Sequence, residues 1–194
     1  LEVFLVPKPP ILPLLNWKKL FESGLQYDAW LHSGENSDNG AKMESARASL
    51  KLEPTLEAFL GALPRPVHVV AIAEDWCGDV VRHVPALQRL ADAGPNLRVR
   101  YVSRGQSPEM FVRFLTNGGE AIPKFIFLND VFVECGNWGP MPEACRELIA
   151  RGKACGDPTT ARQRVSALYQ EDPELRVVIS ELVRLVDIAS TAGM

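Results

Sequence analysis

Among the residues of this chain that can do chemistry, Cys77 stands in the most informative setting. It lies in Glu74-Asp75-Trp76-Cys77-Gly78-Asp79-Val80, after an apolar run from Val67 to Ala73 and at the start of a stretch with helical patterning. A thiolate, not a thiol, is the nucleophile, and a free cysteine ionises with a pKa of about 8.5. Placing the sulfur at a helix N-terminus favours the anion, through unpaired N–H groups and the macrodipole. Trp76 can form one wall of a substrate surface. Asp79 opposes the thiolate if the two are close, or caps the helix at its own amides. An accessible Cys77, activated less strongly than in a turn with two cysteines, is the expectation.

The other reactive residues carry weaker signals. Cys135 ends an apolar strand-like run beside Gly136, Cys145 lies in a helical stretch and Cys155 in the loop after it. No two cysteines are close enough in sequence for a zinc-type pair. Asp79 and His83 are spaced for one helix face and suggest a surface ion pair. Lys124 either brings a positive charge near the thiolate or is a solvated strand-edge residue. Glu74 and Asp75 read as a solvated rim that disfavours acidic substrates. The pattern calls for no metal and no cofactor.

At 194 residues, with 46% hydrophobic and 23% charged residues, the chain has the composition of a folded domain with additions, not of a disordered protein. Its net charge of -3 argues against nucleic acid or an anionic membrane as partner. Leu1 to Leu15 is apolar but broken by Pro7, Pro9, Pro10 and Pro13, without the basic start or cleavage site of a signal peptide. The expectation is a soluble, cytoplasmic protein.

The elements that must position Cys77 follow from the patterning. Residues 1–15 form a proline-rich apolar arm and residues 16–66 a helical extension. Its helices are expected from Trp17 (capped by Asn16), over Tyr27 to His32, Ala41 to Leu52 and Thr55 to Leu63. Pro64-Arg65-Pro66 marks a boundary, beyond which strands and helices alternate. Strands are expected at Val67 to Ala73, Leu97 to Ser103, Lys124 to Leu128 and Val131 to Cys135, the last two joined by a tight turn at Asn129-Asp130. Helices are expected over Gly78 to Ala93, Pro108 to Leu115 and Pro142 to Arg151, which closes a core of residues 67–152. Residues 153–194 add two helices, Thr159 to Gln170 and Pro173 to Ala189.

The β-α-β-α-β-β-α order, the cysteine turn, Pro85 inside the following helix, and Ala121-Ile122-Pro123 before a strand together resemble the thioredoxin family. Trp138-Gly139-Pro140 adds to a likeness with its members that carry a Glu-Asp-Trp-Cys-Gly-Asp turn. The resemblance implies an α/β fold with a mixed central sheet flanked by helices. It makes Cys77 the attacking sulfur in a turn with Trp76, Gly78 and Asp79. Pro123 is then cis and faces Cys77, while Ile122 offers backbone groups to an extended peptide and Gly136 lets that chain approach.

Two departures from the family matter. Val80 stands where a second cysteine would resolve the reaction, and Ala71 where a buried aspartate would accept a proton. A lone Cys77 can form a mixed disulfide, but its release needs another thiol. Glutathione, another protein thiol or Cys135 are the candidates, with Cys135 the best internal one. The implied activity is thiol–disulfide exchange on protein disulfides or mixed disulfides with a small thiol. The competing reading is a redox-inactive module that binds peptide by Trp76, Ile122 and Pro123. The arm and added helices suggest a homodimer surface.

Overall fold

The computed structural model describes residues 14–106 and 108–191, so most of the proline-rich arm lies outside the described residues. Four helices come first: α1 (Trp17–Ser23), α2 (Tyr27–His32), α3 (Ser37–Ser49) and α4 (Pro54–Gly61). The Asn16 side chain caps α1 by accepting from the Lys19 amide at 3.0 Å. Helix α3 starts earlier than the apolar pattern suggests, because the Asn36 side chain caps it at the Asn39 amide. Pro54 opens α4, where its fixed φ fits and its missing N–H costs nothing.

The sheet follows as β1 (Val67–Ile72), β2 (Leu97–Val102), β3 (Lys124–Leu128) and β4 (Glu134–Trp138), in the order β2-β1-β3-β4. Strands β1 and β2 run parallel, connected by helix α5 (Gly78–Ala93); β3 and β4 are antiparallel to their neighbours. A short helix α6 (Pro108–Arg113) leads toward β3. β1 and β3 are buried at every position, which explains why they are apolar apart from His68 and Lys124.

Side-chain alternation sorts the two faces. Phe125 of β3 stacks on Trp138, which meets His83 of α5 edge-on, so the Phe125 face is the α5 face. His68 of β1 points the other way and contacts Phe21 of α1. Helix α1 therefore covers one face and α5 the other, with α3 and α4 packed against α5.

Two expectations change. The β3–β4 connection is wider than a two-residue turn: the Asn129 side chain accepts from the amides of Val131 and Val133, and Phe132 has φ of 63°. Phe132 leaves the strand to stack on His68, and β4 begins at Glu134 and runs to Trp138. The helix after β4, α7 (Glu143–Ala154), pairs with α8 (Pro158–Glu171). Instead α9 (Arg176–Ser190) lies beside α5 against β4, β3 and β1. The last helix thus completes the core. Its buried Val178, Leu182 and Val186 repeat at helical spacing.

Candidate functional site

Cys77 is the N-cap of α5, half-buried, where β1 hands over to the helix. Its Sγ donates to the Ile122 carbonyl at 3.6 Å, and the Ile122–Pro123 peptide is cis. Lys124, next in the chain, pairs with Ile72 at the end of β1. The register therefore carries Pro123 to the end of the sheet where Cys77 emerges. Trp76 is 57% exposed beside it and lines a cleft of about 300 Å³ with Trp30, Glu74, Asp75 and Tyr101. A hollow of about 570 Å³ between Tyr27, Arg47 and Arg98 is larger but contains no cysteine. Gly78 is exposed, with open space where a Cβ would be.

The turn is held from behind. Asp75 is buried, not a solvated rim: its carboxylate accepts from the Asn36 amide at 2.6 Å, and its carbonyl from the Asn39 side chain at 2.9 Å. Glu74 accepts from the Arg104 amide at 2.8 Å. The loop before α3 thus buttresses the cysteine turn, which gives the N-terminal helices a part in the site that their sequence did not suggest. Val80 and Ala71 are fully buried among apolar neighbours.

Asp79 does not cap its own helix. Its carboxylate accepts from the Tyr169 hydroxyl of α8 at 3.1 Å, and burial pushes its pKa up against the pull of Tyr169 and Arg82. His83 is not on the surface and does not pair with Asp79. It is fully buried, 3.2 Å from the same Tyr169 hydroxyl, which stands between the two. Burial, aided by the Arg82 charge, drops the His83 pKa to about 3, so its imidazole is neutral. Arg82 donates to the Tyr169 and Asp172 carbonyls and lies 4.2 Å over the Tyr169 ring. Tyr169 is thus the partner that sequence reasoning missed, 90 residues away from Asp79 along the chain.

Lys124 is neither strand-edge nor solvated. It is buried and donates to the Gly139 carbonyl at 2.8 Å; burial and the Arg146 charge lower its pKa to about 8. Gly139 has φ of 114°, and a Cβ there would run into the Pro123 carbonyl. The missing side chain of Gly139 therefore allows a close backbone approach beside Pro123. Gly136 instead lies opposite Phe127, and a Cβ there would meet Leu185 of α9 at 2.8 Å. It admits a helix, not a substrate.

Cys135 is not brought to Cys77. It precedes Gly136 at the end of the sheet where Leu128 pairs with His68, four rungs from the Ile72–Lys124 pair. At about 3.3 Å per residue that offset alone exceeds the roughly 7 Å Cα limit of a disulfide. Its Sγ donates to the Val133 carbonyl at 3.4 Å, and burial raises its pKa. Cys145 is buried, its pKa also raised by burial, and Cys155 is exposed.

A cysteine at a helix N-terminus, facing the residue before a proline across a mixed four-stranded sheet, defines a thioredoxin-type protein. Residues 24–161 match the thioredoxin family, and the chain belongs to it. No curated protein matches the chain. Among solved structures, it is similar to a protein of unknown function from Pseudomonas aeruginosa, at 20% identity and a TM-score of 0.71, covering 90% of this chain and 98% of that one. It is also similar to an HIV epitope-scaffold, at 19% identity and a TM-score of 0.68, covering 89% and 98%. At these identities the two share the fold. No helix among the described residues is long and apolar enough to cross a membrane.

Proposed function

We propose that the chain is a single-cysteine thiol–disulfide exchange protein of the thioredoxin family, one of those with a Glu-Asp-Trp-Cys-Gly-Asp turn, working in a reducing compartment such as the cytoplasm. The observation that carries this reading is the Cys77 sulfur at the N-terminus of α5, against the Ile122 carbonyl beside Pro123. The Cys77 thiolate attacks one sulfur of a mixed disulfide between a protein and glutathione. The S–S bond breaks as the Cys77–glutathione disulfide forms, and the protein thiolate leaves and takes up a proton. A second glutathione thiolate attacks that adduct, giving glutathione disulfide and restoring the Cys77 thiolate. The second thiol comes from outside, because Val80 supplies none and Cys135 lies at the other end of the sheet.

Incubation with a glutathionylated peptide and glutathione tests the cycle. Peptide thiol should appear with the parent chain and not with Cys77→Ser; equal rates from both would reject the reading. The exposed Trp76 over its cleft favours a second reading, a peptide-binding module without turnover. That reading requires peptide capture that survives Cys77→Ser and is lost in Trp76→Ala.

A further inference from the structure

The cleft beside Cys77 joins aromatic rings to carboxylates. Trp30 and Tyr101 form its buried part, their rings stacked at 4.7 Å, and Trp76 is its exposed wall. Glu35, Glu74 and Asp75 also line it; the remaining lining residues are uncharged, and no Lys, Arg or His is among them. The cleft is reachable from solvent, because Trp76 and Glu35 are exposed and Glu74 is half-buried.

The carboxylates meet no cation. Asp75 and Glu74 accept from the backbone amides of Asn36 and Arg104, and neither they nor Glu35 form an ion pair among the described residues. Arg104 pairs its guanidinium with Glu120 instead, at 2.9 Å. Carboxylates gathered in a cleft with apolar walls focus negative potential there. Trp30 gives a second, independent sign of an occupant. It is only 7% exposed, yet its indole N–H has no hydrogen-bond partner among the described residues. Nor is that nitrogen among the unpaired ones shut off from solvent, so it keeps a reachable face in the cleft that Trp30 lines. An indole N–H is satisfied only by an acceptor.

An extended polypeptide with a cationic side chain meets both demands, its backbone carbonyl accepting from Trp30 and its charge facing the carboxylates. Arginine fits better than lysine, because a planar guanidinium stacks on Trp76 while its N–H fork reaches a carboxylate. Trp76 directly precedes Cys77, so at about 3.3 Å per extended residue the arginine lies within about two residues of the cleaved disulfide. We propose that this cleft is a specificity subsite for an arginine beside the disulfide cysteine of a protein substrate. The inference rests on the exchange reading for its chemistry, while the recognition is measurable without turnover.

Three glutathionylated peptides, alike except for Arg, Gln or Glu on both sides of the cysteine, are the probes. With the full chain, kcat/KM for Cys77-dependent release should be roughly tenfold higher for the Arg than for the Gln peptide. That is the worth of one cation–π contact and one exposed ion pair. The Glu peptide should be slowest, and added salt should narrow the gap. Glu35→Gln should cut the Arg preference about threefold, whereas Glu171→Gln, on an exposed α8 residue outside the cleft, should not. The same peptides with serine for cysteine, dye-labelled and titrated into the Cys77→Ser chain by anisotropy, should bind in the same order. Equal rates for the three peptides, with Cys77 still required, overturn the inference and spare the exchange reading. Equal release from the parent and Cys77→Ser overturns the exchange reading, and the serine peptides then decide the subsite alone. Serine peptides that bind alike, or equal drops from Glu35→Gln and Glu171→Gln, overturn the subsite.

Discussion

Burial of a neutral His83 should make the protein lose stability as it is acidified from pH 7 to 5. Folded His83 titrates at about 3, against about 6.5 in an unfolded chain. Between those values the unfolded state carries a proton that the folded state refuses, so stability rises with pH and falls as pH is lowered. The contribution is fully present above about 6.5 and is lost progressively toward 3. Taking the two titrations together, the loss between pH 7 and 5 is about 2 kcal/mol. Asp79 acts in the opposite sense: its raised pKa lets the folded state take up a proton first, above the ordinary carboxylate value. Tyr169 and Cys145, the other titrating groups around the ring, have raised values and stay neutral in this range. Urea unfolding at pH 7, 6 and 5, run on the parent and on His83→Leu, isolates the histidine, because all other groups are common to both. The parent should lose about 2 kcal/mol more than the variant. Parallel losses in the two proteins would refute a buried neutral His83.

Asp75→Ala removes the acceptor for the Asn36 amide. It should cost about 1–2 kcal/mol in urea unfolding and speed hydrogen exchange at Asn36; an unchanged exchange rate would separate the N-terminal loop from the turn. Gly139→Ala drives a Cβ into the Pro123 carbonyl at a backbone angle that disfavours side chains. It should lower stability by more than about 2 kcal/mol, with thermal unfolding as the check, and a variant as stable as the parent would contradict that packing.

Local pattern located the frame of the site well. Helix α5 spans the stretch read from its apolar periodicity, and β3 spans Lys124 to Leu128 as its pattern suggests. Cys77, Trp76 and the Ile122-Pro123 pair were legible because a short turn and an ordered proline mark them. What stayed hidden are contacts between distant segments. Nothing near Asp79 or His83 in sequence announces Tyr169, so a pair spaced for one helix face read as a surface couple. Asp75 looked solvated because its partner Asn36 belongs to another helical segment. Cys135 and Gly136 were misplaced by a strand register that Asn129 and Phe132 delay, with β4 ending at Trp138 rather than Cys135. Charge, spacing and residue type carry no record of that delay.

The nucleophilic role of Cys77 is tested most directly by mapping where the chain takes up glutathione. The protein is exposed briefly to glutathione disulfide at neutral pH, quenched with acid and digested, and each cysteine-containing peptide is weighed. The expected result is an adduct on Cys77 that forms ahead of any on the exposed Cys155 and that added glutathione removes. Modification of Cys155 with Cys77 left untouched would contradict the account.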